Sequence, residues 1–305
     1  MYAITARGII ALLLLTQPAA AHGLDGTDFV ATWTYDPWVV IPLYLSALLY
    51  LVGTNRLWQR AGPGRGLRYW QVACFWAGWT SLALALLSPL HWLGERLFVA
   101  HMVEHTILMV VAAPLIAVSR PSGAILWGLP RAVRRTLGAL TQSRPVAGIW
   151  SRLRAPLTAT LIQAVALWAW HMPALYNLVL TNVAAHRLQH LSFTGSAMLF
   201  WWALWHGQVR SRGYGINIGC LFVTSLHTGV LGALLTVSRR LWFPAQIAFA
   251  TDWGLTPLED QQLAGLVMWV PMGLIYTAAG LYFAGQWIAG SSRGAESSSH
   301  VALAR

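Results

Sequence analysis

Residues 96–118 read RLFVAHMVEHTILMVVAAPLIAV, an almost unbroken apolar run interrupted by His101, Glu104 and His105. Wound as a helix at about 1.5 Å per residue, such a run reaches across a hydrocarbon core roughly 30 Å thick. It therefore reads as a membrane span. Histidines four apart project from one helix face, and Glu104, three residues beyond His101, lies close to that face. Ionisable groups in a span are costly to place there, which makes HMVEH a functional expectation, with hydrogen-bonded polar packing as the alternative reading.

The rest of the chain agrees with a membrane reading. Of 305 residues, 57% are hydrophobic and 10% charged, whereas soluble domains carry about 25% charged residues. The net charge of +11 comes entirely from arginine. The arginines sit in short connectors between apolar runs, so the basicity is not a nucleic-acid footprint. Cys74 and Cys220 lie in different apolar segments without a CxxC spacing, which excludes a thioredoxin-like copper chaperone and a cysteine zinc site.

Seven apolar runs are long enough to cross, at about residues 38–54, 70–90, 97–119, 156–180, 187–208, 217–237 and 262–288. The prediction is an all-α polytopic bundle. The first 21 residues, with a short apolar run and an A-x-A site ending at Ala21, read as a cleavable signal peptide. Residues 22–37 then form an extracytoplasmic segment, residues 38–288 the transmembrane domain, and residues 289–305 a disordered Ser-rich cytoplasmic tail. With the mature N-terminus outside, fifteen arginines fall in cytoplasmic connectors and the tail, against Arg96, Arg187, Arg239 and Arg240 outside. The positive-inside rule supports the same orientation, with membrane lipid as surroundings.

Topology turns the ten histidines into a pattern. His91, His101, His105, His171, His186 and His190 all fall in the outer leaflet or just above it. His101 with His105, and His186 with His190 in HRLQH, are two candidate bidentate pairs; His171 comes from a third span. Met102 and Met172 neighbour them as possible thioether donors, and His22 would be a chelating mature N-terminus. Imidazoles with thioethers nearby and no thiolate point to copper. Neutral imidazole is the ligand, so affinity is expected to fall below about pH 6.5.

Three functions fit a histidine cluster at one depth. HMVEH matches the H-x-x-E-H pattern of inverted zinc peptidases, in which Glu104 would be the base. Two histidines on facing spans would also serve a b-type haem, with Gly195, one turn below His190, making room for the macrocycle. The third is a non-catalytic factor that handles copper.

Four ordered blocks favour the third. HMVEHTILMVVAAPLIAVSRP, WAWHMPALYNLVL, HRLQHLSFTGSAMLFWWAL and EDQQLAGLVMWVPMGLIY resemble the signature blocks of the CtaG family of bacterial membrane proteins, from about Pro37 to Phe283. The resemblance implies seven spans, assembly of an aa-type cytochrome c oxidase, and an oxidase subunit as partner. The positions that match its blocks are His101, His105, His171, His186, His190 and Asp260. Asp260, at the outer mouth of the last span, is expected either to orient an imidazole or to favour its own helix start. On this reading Glu104 is accessory.

Overall fold

A computed structural model describes residues 31–207, 211–244 and 249–303. The expected signal peptide, Ala21 and His22 lie outside the described residues. Asp36 starts the first helix by accepting the Trp38 N–H at 3.0 Å, with Pro37 in the first-turn position where a missing N–H costs nothing.

The helices run α1 (Pro37–Ala61), α2 (Tyr69–Leu87), α3 (Pro89–Gly94), α4 (Phe98–Ser119), α5 (Pro121–Gly128), α6 (Arg131–Gln142) and α7 (Arg144–Leu153). They continue as α8 (Pro156–Trp170), α9 (Pro173–Thr181), α10 (Val183–His206), α11 (Ser211–Val237) and α12 (Pro257–Leu303). No strand occurs among the described residues. The all-α expectation holds.

Among the described residues, five helices are long and apolar enough to cross a membrane: α1, α2, α4, α11 and α12. Their outward faces expose large apolar side chains such as Leu45, Phe222 and Leu281, as surfaces facing hydrocarbon do. The predicted fourth and fifth spans differ. The run 156–180 is broken, because Met172 precedes Pro173 and takes an extended backbone (φ −70°, ψ 130°), the conformation a following proline imposes. What results is a 15-residue α8 and a 9-residue α9. The 24-residue α10 is long enough, but its polar side chains, His186, Arg187, Gln189 and His190 among them, keep it below the apolarity of a plain span.

Two further expectations change. The connector after α4 folds into α5–α7. α5 lies directly on α1, where Gly53 and Gly128 let the two backbones touch, as small residues do between spans. Arg56 closes this corner, donating from Nη1 to the carbonyls of Trp127 and Gly128, both at 3.0 Å. The Ser-rich stretch expected to be a disordered tail continues α12 as helix to Leu303; extending an existing helix avoids the cost of a new nucleus.

α4 is not a plain helix. Residues Ile107–Ala112 form a π segment, in which each C=O bonds to the N–H five residues on. The partner of the Met109 carbonyl would then be residue 114, a proline without an N–H. The Trp201 indole of α10 donates to that carbonyl at 2.9 Å. The orphaned acceptor is thus satisfied by a neighbouring helix.

The main apolar core joins α4 with α8–α12 through residues such as Phe98, Phe193, Trp201, Met268 and Tyr276. A second, smaller cluster packs α1 and α2 on α4 and α5, with Tyr50 and Phe75 stacked at 3.5 Å. Chain reversals gather chemistry at two ends. One end holds the α2–α4 connection and the starts of α1, α10 and α12; the other holds the arginine-rich connections after α1, α4 and α10.

Candidate metal centre

α4 begins where Leu97 leaves helical geometry, and its first free N–H groups are capped from far along the chain. The Asp260 carboxylate of α12 accepts the Phe98 N–H at 2.8 Å and the Val99 N–H at 2.9 Å. Both oxygens of this fully buried carboxylate are thereby used. Asp260 neither orients an imidazole nor starts its own helix; Thr256 and Glu259 form that capping box, with the Thr256 N–H donating to Glu259 at 2.8 Å and the Glu259 N–H to Thr256 at 3.3 Å. A carboxylate at a helix N-terminus also meets the positive end of the helix dipole. Its role is to fix the helix that carries HMVEH.

α3 places the next residue. Ser88 caps it, accepting the Leu90 N–H at 3.2 Å, and Pro89 follows at the first turn. Its one and a half turns fold His91 back over α4. Gly94 makes the approach possible: a Cβ there would sit 3.2 Å from Glu104 Oε2 and 3.3 Å from the His101 Cα.

Glu104 is the hub. It is fully buried (0% exposed); its Oε1 lies 2.8 Å from His91 Nδ1 and 3.6 Å from His190 Nδ1. Burial acts to lower the His91 pKa, but the Glu104 carboxylate outweighs it and raises the imidazole to about 9. The 2.8 Å contact gives a partner to a carboxylate that would be very costly to bury unpaired. Nε2 of His190 meets Nε2 of His186 at 2.8 Å. His190 Nδ1 stands beyond hydrogen-bond reach of Glu104 and has no hydrogen-bond partner.

His101 and His105 complete the group, with ring centroids 4.2 Å apart. The His105 ring is 5.1 Å from that of His190, and His101 is 5.8 Å from His186. His105 is 3% exposed, and neither of its ring nitrogens has a hydrogen-bond partner; the same holds for Glu104 Oε2. A buried polar atom left unsatisfied costs about 1–3 kcal/mol. Donor atoms of His91, Glu104 and His190 all lie within 4.8 Å of one another, a spacing that one ion can draw together. Nitrogen and carboxylate donors with buried, unsatisfied lone pairs fit a transition metal.

Of the residues singled out from sequence, His101, His105, His186 and His190 come together. His171 stands apart: its Nδ1–H donates to the Leu167 carbonyl at 2.7 Å, and its ring meets Phe193, which also packs on His105. Met102 is buried in the apolar core beside Phe98, and Met172 is 56% exposed, so the thioethers do not join the histidines. Gly195 is exposed, with nothing within 4 Å of a Cβ placed on it; it opens no slot beside His190. Sequence reasoning counted His91 among the histidines at this depth but left it off the candidate ligands, although the Ser88-Pro89 helix start signals the turn that returns it to α4. It also set Glu104 aside as accessory, and the structure places it at the centre.

One more tie holds this end together. Arg187 of HRLQH pairs in bidentate fashion with Asp36, Nε to Oδ2 at 2.7 Å and Nη2 to Oδ1 at 3.0 Å. That fork locks the start of α10 against the start of α1.

No curated protein and no solved structure matches the chain. A family model described as cytochrome c oxidase caa3 assembly factor (Caa3_CtaG) matches residues 48–290. The match takes in both histidine helices, α3 with His91, and the capping Asp260, so this chain belongs to the caa3 cytochrome c oxidase assembly factor family.

Proposed function

We propose that this chain is a non-catalytic membrane factor that takes copper as cargo at the histidine end and presents it to a cytochrome c oxidase subunit during assembly. One observation carries the reading: a single buried carboxylate ringed by histidines from α3, α4 and α10, with both His105 ring nitrogens and Glu104 Oε2 unbonded. Imidazole and carboxylate serve several divalent ions, and Cu(II) binds most strongly among the first-row series. The arginine asymmetry supports a bacterial inner-membrane setting with the histidine end outside and the C-terminus cytoplasmic. Seven crossings would follow if the broken α8–α9 and the polar α10 complete the five apolar helices.

Ring packing favours an ion over haem. The imidazoles of His101, His105 and His190 meet edge to face at 4.2–6.1 Å, leaving no planar slot between them. The position of Glu104 favours holding an ion over activating water for peptide hydrolysis, because its Oε1 is engaged by His91 within a fully buried site.

The test is the double variant His101→Ala/His105→Ala in cells that depend on a copper-containing oxidase. The expected result is a normal level of the protein in the membrane with loss of oxidase activity and of oxidase-bound copper. Normal oxidase activity and copper content in that strain would overturn the metal role.

A further inference from the structure

At the end opposite the histidines, a cavity of about 660 Å³ opens between the connections after α1 and α4, the end of α10 and Tyr282 of α12. Its wall includes Arg68, Gln71, Arg120 and His206, with Trp70 and Trp205 as apolar sides. That volume lies within the range of small-ligand sites, about 300–1,000 Å³.

Arg120 is the informative residue. It is the single residue between α4 and α5, and the one non-glycine with positive φ among the described residues (φ 55°, ψ 53°). Left-handed backbone costs an ordinary residue about 1–2 kcal/mol, and such strain gathers where a side chain must be aimed. The aim is fixed at the guanidinium. Nε of Arg120 donates to His206 Nδ1 at 3.2 Å, and His206 Nε2 contacts the Ala117 carbonyl at 2.9 Å. An arginine N–H can only donate and a carbonyl can only accept, so His206 is neutral with its proton on Nε2. It holds the arginine without cancelling its charge.

Nothing else cancels it. No carboxylate lines the cavity, and neither Arg68 nor Arg120 has an acidic partner among the described residues. The sequence has no Asp or Glu from residue 105 to residue 251, nor from 37 to 94. Two arginines without acidic partners lining a cavity that also holds Trp70 and Trp205 suit a tetrahedral oxyanion, which arginine engages in bidentate fashion.

We propose that this cavity is a binding site for a phosphate-bearing anion, either a phospholipid headgroup or a soluble phosphorylated molecule. It is independent of the histidine centre. Two measurements on the purified full chain distinguish the sources. Calorimetric titration with inorganic pyrophosphate in phospholipid-free detergent reads the soluble source. Native mass spectrometry after exposure to phosphatidylglycerol, against phosphatidylcholine, reads the headgroup source.

The variant is Arg68→Gln/Arg120→Gly, since glycine adopts φ 55° without strain and keeps the α4–α5 corner. Binding in either arm should weaken at least about tenfold, the loss expected for removing charge-assisted contacts. Arg120→Lys, which keeps the charge and loses the fork, should fall in between. Wild-type protein that binds neither anion, or a double variant that binds as well as wild type, would overturn the site.

Discussion

α4 and α10 each carry histidine chemistry at one end and meet an arginine at the other, and the two ends treat histidine in opposite ways. His206, half-buried, has both ring nitrogens engaged, by Arg120 and the Ala117 carbonyl. His105, buried deeper, has neither engaged, and the nearest carboxylate keeps one oxygen unbonded. A satisfied histidine is a structural strut. An unsatisfied one beside other imidazoles and a carboxylate is a candidate ligand site, because protein interiors rarely leave such groups unpaired. Residue type alone does not separate the two; hydrogen-bond accounting does.

That contrast breaks most directly at Glu104. Glu104→Gln keeps the shape and removes the charge, and should weaken copper binding by about 10–100-fold in competition with a chelator, the range seen when a metal site loses a supporting group. Unchanged affinity would mean that the histidines alone define the site. Trp201→Phe tests the helix beneath them. With the indole gone, the Met109 carbonyl of the π segment has no donor, and stability in detergent should fall by about 1–3 kcal/mol.

Smaller effects sharpen the comparison. Asp260→Asn removes the charge that caps α4 and should cost about 1–2 kcal/mol of stability, read as a lowered thermal midpoint. Copper should still bind once the variant is folded, since Asp260 touches backbone N–H groups and no imidazole. His206→Leu should cost about 1 kcal/mol for its lost hydrogen bonds and leave copper affinity untouched. If His206→Leu lowered copper binding as much as Glu104→Gln, the two ends would not be separate.

Much of this was legible from sequence for physical reasons. Apolar runs and sparse charge gave the all-α membrane character. The i, i+4 spacings in HMVEH and HRLQH put each histidine pair on one helix face, and alternating chain direction brought α4 and α10 together at the same end. Pro173 announced the break in α8–α9, but the apolar length of residues 156–180 outweighed it. The Asp260 cap was not legible, because it joins residues more than 160 positions apart and depends on how α12 packs on α4. The π segment needed both Pro114 and the reach of Trp201 from another helix. The central place of Glu104 depended on the α3 turn delivering His91, a tertiary fact that no helical period carries.

The central claim is that the histidine end holds copper. Electron paramagnetic resonance of the purified chain loaded with one equivalent of Cu(II) tests it most directly. The account predicts a bound Cu(II) signal with hyperfine splitting from imidazole nitrogens, weakened and changed in its nitrogen splitting in a folded His101→Ala/His105→Ala variant, where His91, His186 and His190 remain, and retained in His206→Leu. An identical nitrogen-split signal in the double variant would contradict it.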